Sequence, residues 1–225
     1  MQRILKLTLA ATLALSLPAI AAPERERIRG TVTAVSPDTL TVHTAGGGDV
    51  SIGLGSSTRY LQVLKASLAD VGTGSYIGTA TKAVGSTLVA LEVLIFPPAM
   101  KGTGEGHYNW DSIPDTTVTG GGSTASMMTN GNVAAVATPA VASTMTNGNV
   151  AATSSKDGTR ELTVTYKDGQ QTIIVPPTAP IVTFKPGEMS NVTNGASVFI
   201  NAVKDDGKIT ANAVAVGMDG VKPPM

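Results

Sequence analysis

The sequence predicts an all-β protein made of two small β-barrel repeats of about five strands each, joined by a Gly-rich linker. Three observations carry this expectation. Apolar and polar residues alternate with period two in short runs punctuated by Gly, Pro and Asp. The same order of runs occurs twice along the chain. The composition, with 25 Gly and 13 Pro in 225 residues and 42% hydrophobic residues, suits short strands and turns while leaving enough apolar surface for real cores.

In the first repeat, expected over 28–98, RGTVTAV (29–35) reads as a strand, Pro37-Asp38 as a turn and TLTVHT (39–44) as a second strand. AGGGD (45–49) turns again before VSIGL (50–54), and RYLQV (59–63) adds an extended stretch. KASLADV (65–71) is the one short helical phrase, with Ser67 as its cap. SYIGTATK (75–82) and TLVALEVLIF (87–96) close the unit, and the second of these is apolar enough to be central. Glycines inside strands (Gly30, Gly53, Gly78, Gly148) suit bulges and sharp bends. Curling five short strands into a barrel removes the open edges that a small sheet would expose. Both an OB-like and an SH3-like barrel fit this order.

The second repeat, within 127–219, repeats the order. GNVAAT (148–153) answers the first strand, RELTVTY (160–166) the second and QTIIV (171–175) the third. PIVTF (180–184), PGEMSNV (186–192), SVFINAV (197–203) and ITANAVAV (209–216) follow, with Leu40 matching Leu162 and Val93 matching Val214. A 17-residue tandem duplication lies at its start: ASMMTNGNVAA (125–135) recurs as ASTMTNGNVAA (142–152). Only one copy can form the first strand, because the two offer the same pattern to the same partner.

Residues 1–21 have the order of a secretory signal peptide: Arg3 and Lys6, an apolar run from Leu7 to Leu17, Pro18, then Ala19-Ile20-Ala21. Cleavage near Ala21 predicts a periplasmic or extracellular protein. Removing Arg3 and Lys6 leaves 14 cations against 16 carboxylates, a balance that argues against nucleic-acid binding. No later run approaches the ~18 apolar residues needed for a membrane span. Cysteine is absent, which excludes disulfides, thiolate metal sites and Cys nucleophiles.

Between the repeats, residues 99–126 read as a clasp loop followed by a flexible linker, TTVTGGGSTAS (116–126). The loop concentrates chemistry: Glu105, His107, Tyr108, Trp110 and Asp111 fall within seven residues, among them the single Trp and one of two His. Trp110 and Tyr108 suit a structural clasp or a ligand site. Glu105, His107 and Asp111 suit weak divalent-metal binding, and this is the one cofactor the sequence admits. GTGEG lacks the spacing of a phosphate loop. His43 points to solvent in its strand, Asp205-Asp206 marks a hairpin tip, and Glu24-Arg25-Glu26-Arg27 reads as a solvated N-terminus.

The pattern GTVTAV…TLTV…ASLADV…SYIG…ALEV, then GTGEGH-x-x-WD, then LTVTYKDG…TIIVPP…PIVTF-x-PG, resembles a family of exported proteobacterial small-barrel repeat proteins. The resemblance implies export and the barrel fold, and it implies little about activity. Members often carry a metal-transporter permease label, which the lack of any apolar span after the leader contradicts. The tandem copy departs from the family pattern. The function expected is non-enzymatic binding in the cell envelope, with an envelope protein or small ligand as partner. The alternative is a metal-binding periplasmic protein.

Overall fold

A computed structural model of the chain describes residues 22–138 and 158–223. It is all-β, with thirteen strands in one large mixed sheet and a separate two-stranded pair. In the first half, strands β1 (Glu24–Val35), β2 (Thr39–Thr44), β3 (Asp49–Gly53), β4 (Arg59–Lys65), β5 (Tyr76–Val84) and β6 (Thr87–Ile95) follow the expected order. The region between the halves contributes β7 (Gly106–Asn109), β8 (Ile113–Pro114) and β9 (Ser123–Thr124). The second half supplies β10 (Met127–Ala137), β11 (Arg160–Tyr166), β12 (Gly169–Val175), β13 (Ile181–Pro186), β14 (Ser197–Asp205) and β15 (Lys208–Gly217).

The pairings do not keep the halves apart. β1 pairs with β2, β2 with β3, β3 with β15, β15 with β14 and β14 with β1, which closes a circuit. A second circuit runs β10, β11, β12, β6, β5 and back to β10. Each circuit therefore takes three strands from one half and two from the other. The expectation that 28–98 and 127–219 each close on their own strands is corrected by this exchange. β4 and β13 run antiparallel to each other between the circuits, with Val63 opposite Phe184; β4 also pairs in parallel with β15 and β13 with β6.

Each circuit has its own core. Val32, Leu40, Val42, Ile52, Ile200 and Val214 fill the first. Val133, Leu162, Val164, Ile173, Ile77 and Val93 fill the second. These residues alternate along their strands, so one face of each strand points inward. A third cluster, including Val63, Leu94, Phe96, Phe184 and Phe199, packs the seam around β4 and β13.

Local chemistry explains the turns. Leu68–Asp70 and Met189–Asn191 form 3₁₀ turns, and each is fixed from its third residue. Asp70 accepts from the Ser67 N–H at 2.8 Å, and Asn191 accepts from the Glu188 N–H at 2.8 Å. Asp206 takes φ 46 and Gly207 φ 75 at the hairpin tip between β14 and β15, which Asp and Gly tolerate best. The extra residues of the bulges are Thr33, Ala134, Leu91 and Asn212, not the strand glycines. Gly30 and Gly131 serve close approach instead: a Cβ would stand 2.1 Å from the His43 carbonyl oxygen at Gly30 and 2.3 Å from that of Thr165 at Gly131.

The first tandem copy forms β10, so the second half begins earlier than the expected GNVAAT strand. That segment (148–153) lies outside the described residues. TTVTGGGSTAS is not an open linker. β8 pairs with β9, and the Asp115 N–H donates to the Gly122 carbonyl at 2.9 Å. The Asp115 carboxylate accepts from the Thr117 hydroxyl at 2.6 Å and holds Lys82 at 2.6 Å. Burial opposes ionisation of Asp115, but the bonds from Lys82 and Thr117 outweigh it and hold its carboxyl below the usual range.

Candidate functional site

The clasp grows from β7, which lies along β10 and pairs His107 with Thr129 and Tyr108 with Met128. Gly102, Gly104 and Gly106 all take positive φ in the turn that leads into it, so this tight entry needs residues without a Cβ. Strand alternation then sends successive side chains to opposite faces. Tyr108 and Trp110 share one face, with ring centroids 6.0 Å apart. His107 takes the other and stacks on Tyr166 at 6.3 Å.

Trp110 packs against two of the core clusters and is half-buried. The Arg27 guanidinium sits 4.2 Å above its ring. Arg27 also donates to both oxygens of Asp111, at 2.9 and 2.5 Å, and Arg29 donates to Asp111 at 2.7 Å. These hydrogen bonds, Arg27 first, hold the Asp111 carboxyl below the usual range against its partial burial. The bond to Asp111 likewise raises Arg27. The clasp thus ties the inter-half segment to β1. Asn130 joins it on the other side, donating to the Gly104 carbonyl at 2.9 Å and the Tyr108 hydroxyl at 3.2 Å.

The sequence reading missed Arg27 and Arg29. It took Glu24 to Arg27 for a solvated terminus, whereas they are the first turns of the pleat in β1. The signal was present: alternating charge is a period-two pattern, and it sorts the two signs onto opposite faces. Arg27 and Arg29 face Asp111 and the aromatic seam, with Arg29 4.9 Å over Phe199. Glu26 faces the other way, 4.0 Å from Lys204.

The predicted metal ligands do not converge. Among the described residues no three histidine or carboxylate side chains gather to hold a metal ion. Asp111 is engaged by two guanidinium groups, Glu105 is exposed, and His107 bonds the Thr129 hydroxyl at 2.8 Å through Nδ1. Burial lowers the His107 pKa, so the ring is neutral near pH 7. His107 and Thr129 form a base–hydroxyl pair, but Thr129 is fully buried, so no substrate carbonyl can reach it. His43 and Asp49 pair at 2.8 Å on a hairpin where both are more than half exposed. Tyr76 donates to the Thr103 carbonyl at 3.0 Å, and its pKa is pushed up to about 12 by burial, with Glu105 and Tyr108 adding to it. It therefore holds its proton throughout the physiological range.

A second feature lies at the seam, which sequence reasoning did not foresee. A cavity of about 1120 Å³ opens between the first circuit, at Thr31, His43 and Val198, and the 176–182 segment that enters β13. Leu68, Ile113, Pro114, Pro180, Ile181 and Val182 make much of its wall apolar. No Phe, Tyr or Trp lines it among the described residues. Nothing in the sequence marks it, because its walls come from segments distant along the chain.

Comparison with known proteins returned nothing. No protein-family model, curated protein or solved structure matches the chain. No helix among the described residues is long and apolar enough to cross a membrane.

Proposed function

We propose that this chain is a non-enzymatic binding protein of the bacterial cell envelope that takes a small aliphatic ligand into the seam cavity. The leader at 1–21 is the motive for export, and the resemblance to exported small-barrel repeat proteins agrees with it. The two circuits are read as two copies of one five-stranded, OB-like or SH3-like barrel that have exchanged their last two strands. The observation that carries the binding role is the cavity: its volume lies just above the usual range of ligand sites and its lining is mainly apolar. The lack of aromatic lining favours aliphatic chains over sugar rings or bases, which bind by stacking. Three prolines at 176, 177 and 180 stiffen one wall, which lowers the ordering cost of binding. The two histidines support no catalytic relay, since one hydroxyl partner is sealed and the other ring faces water with its carboxylate.

The test is titration calorimetry with decan-1-ol, a neutral aliphatic probe. Saturable binding is expected for the wild-type protein. Ala66→Trp and Thr178→Trp each add bulk at a lining position that is not fully buried, and each should weaken binding at least about tenfold, a loss of ~1.4 kcal/mol, with Tm little changed. Binding that survives both substitutions, or no binding by the wild-type protein, sinks the proposal.

A further inference from the structure

We infer that the ligand of this cavity carries an anionic head, held by Lys65 and Lys222. The inference rests on the binding role proposed above and adds the chemistry of one end of the ligand. The cavity lining holds five ionisable side chains: Arg29, His43, Lys65, Glu92 and Lys222. Arg29 already has a carboxylate partner within the chain at Asp111, and the His43 ring is bonded to Asp49. Lys65 and Lys222 have no ion-pair partner among the described residues. They come from unrelated places, one at the end of β4 and one beyond β15, yet both border the same space.

Lys222 is held there by its neighbours. Val221 and Pro223 also line the cavity, and the Val221 N–H donates to the Met218 carbonyl at 2.9 Å. The opposite chemistry is scarce. Pro176, Pro177 and Pro180 have no N–H to offer an anion. Glu92, buried in β6, is the single carboxylate of the lining. An apolar wall bordered by two lysines that have no ion-pair partner among the described residues fits a single aliphatic chain ending in a carboxylate or a phosphate. The shared chemistry is the anionic head; a free fatty acid and a single-chain anionic phospholipid are its two sources.

Calorimetry with three probes of equal chain length tests this: decanoate, decanoyl-lysophosphatidylglycerol and decan-1-ol. At least one anionic probe should bind about tenfold more tightly than decan-1-ol at low salt, and the advantage should shrink at high salt. The tighter of the two anions identifies the source. The double variant Lys65→Gln, Lys222→Gln should lose this advantage while binding decan-1-ol as before. Equal binding of anions and alcohol by the wild-type protein overturns the anionic head and leaves the aliphatic site standing. A double variant that keeps its preference for anions overturns the role of the two lysines. Failure of decan-1-ol itself to bind sinks the underlying site.

Discussion

Trp110→Ala should destabilise the protein by about 3 kcal/mol, the low end of the range for a large aromatic because the ring is only half-buried. For a chain of this size that corresponds to a fall in Tm of roughly 6–12 °C by calorimetry. Three interactions go at once: the packing on Ile113 and Met128, the edge contact with Tyr108, and the seat of the Arg27 guanidinium. Trp110→Phe should cost under about 1 kcal/mol. The indole Nε1 is buried with no hydrogen-bond partner among the described residues, so Phe keeps an aromatic ring and removes an unsatisfied donor. His107→Gln should lie between these, since a Gln side chain can still bond the Thr129 hydroxyl but cannot stack on Tyr166. A mild Trp110→Ala combined with a severe His107→Gln would show that the loop is organised around His107 instead.

Gly131→Ala should cost about 2 kcal/mol or more in denaturant titration. The new methyl would meet the Thr165 carbonyl oxygen at 2.3 Å, and backbone, unlike a flexible side chain, cannot swing aside. Gly30→Ala should behave alike, because Gly30 meets the His43 carbonyl in the same way. The pair also tests which tandem copy forms β10. Gly148 stands in the second copy where Gly131 stands in the first. If the second copy can take over the strand, Gly131→Ala is bypassed by a register shift and costs almost nothing, while Gly30→Ala still costs its full amount.

The strands were legible because period-two alternation is local. Leu40 and Val42, or Leu162 and Val164, announce an inward face without reference to anything else in the chain, and all four are fully buried. The 3₁₀ turn at Leu68–Asp70 was legible for the same reason, as Ser67 to Asp70 is a four-residue hydrogen-bonded unit. Partner choice was not. β1 offers the same alternating face to β5 or to β14, and nothing local to β1 distinguishes them. The clasp was half legible. Trp110 and Asp111 stood out by residue type, but Arg27 and Arg29 lie more than eighty residues away and looked like an ordinary charged terminus. The cavity left no local signal, since Lys65, Ile113, Ile181 and Lys222 meet only when the circuits are in place.

Everything at the seam depends on the exchange of strands between halves, and the absence of native cysteine makes that exchange directly measurable. Glu24 stands opposite Lys204 on β1 and β14. If each half closed on itself, Glu24 would instead face Ala83, which holds the place in the β5–β6 hairpin that Lys204 holds in β14–β15. Two double variants, Glu24→Cys with Lys204→Cys and Glu24→Cys with Ala83→Cys, should be oxidised at low protein concentration and mapped by mass spectrometry. The exchanged architecture predicts an intrachain disulfide in the first and free thiols in the second. A disulfide between positions 24 and 83, with free thiols at 24 and 204, would contradict it.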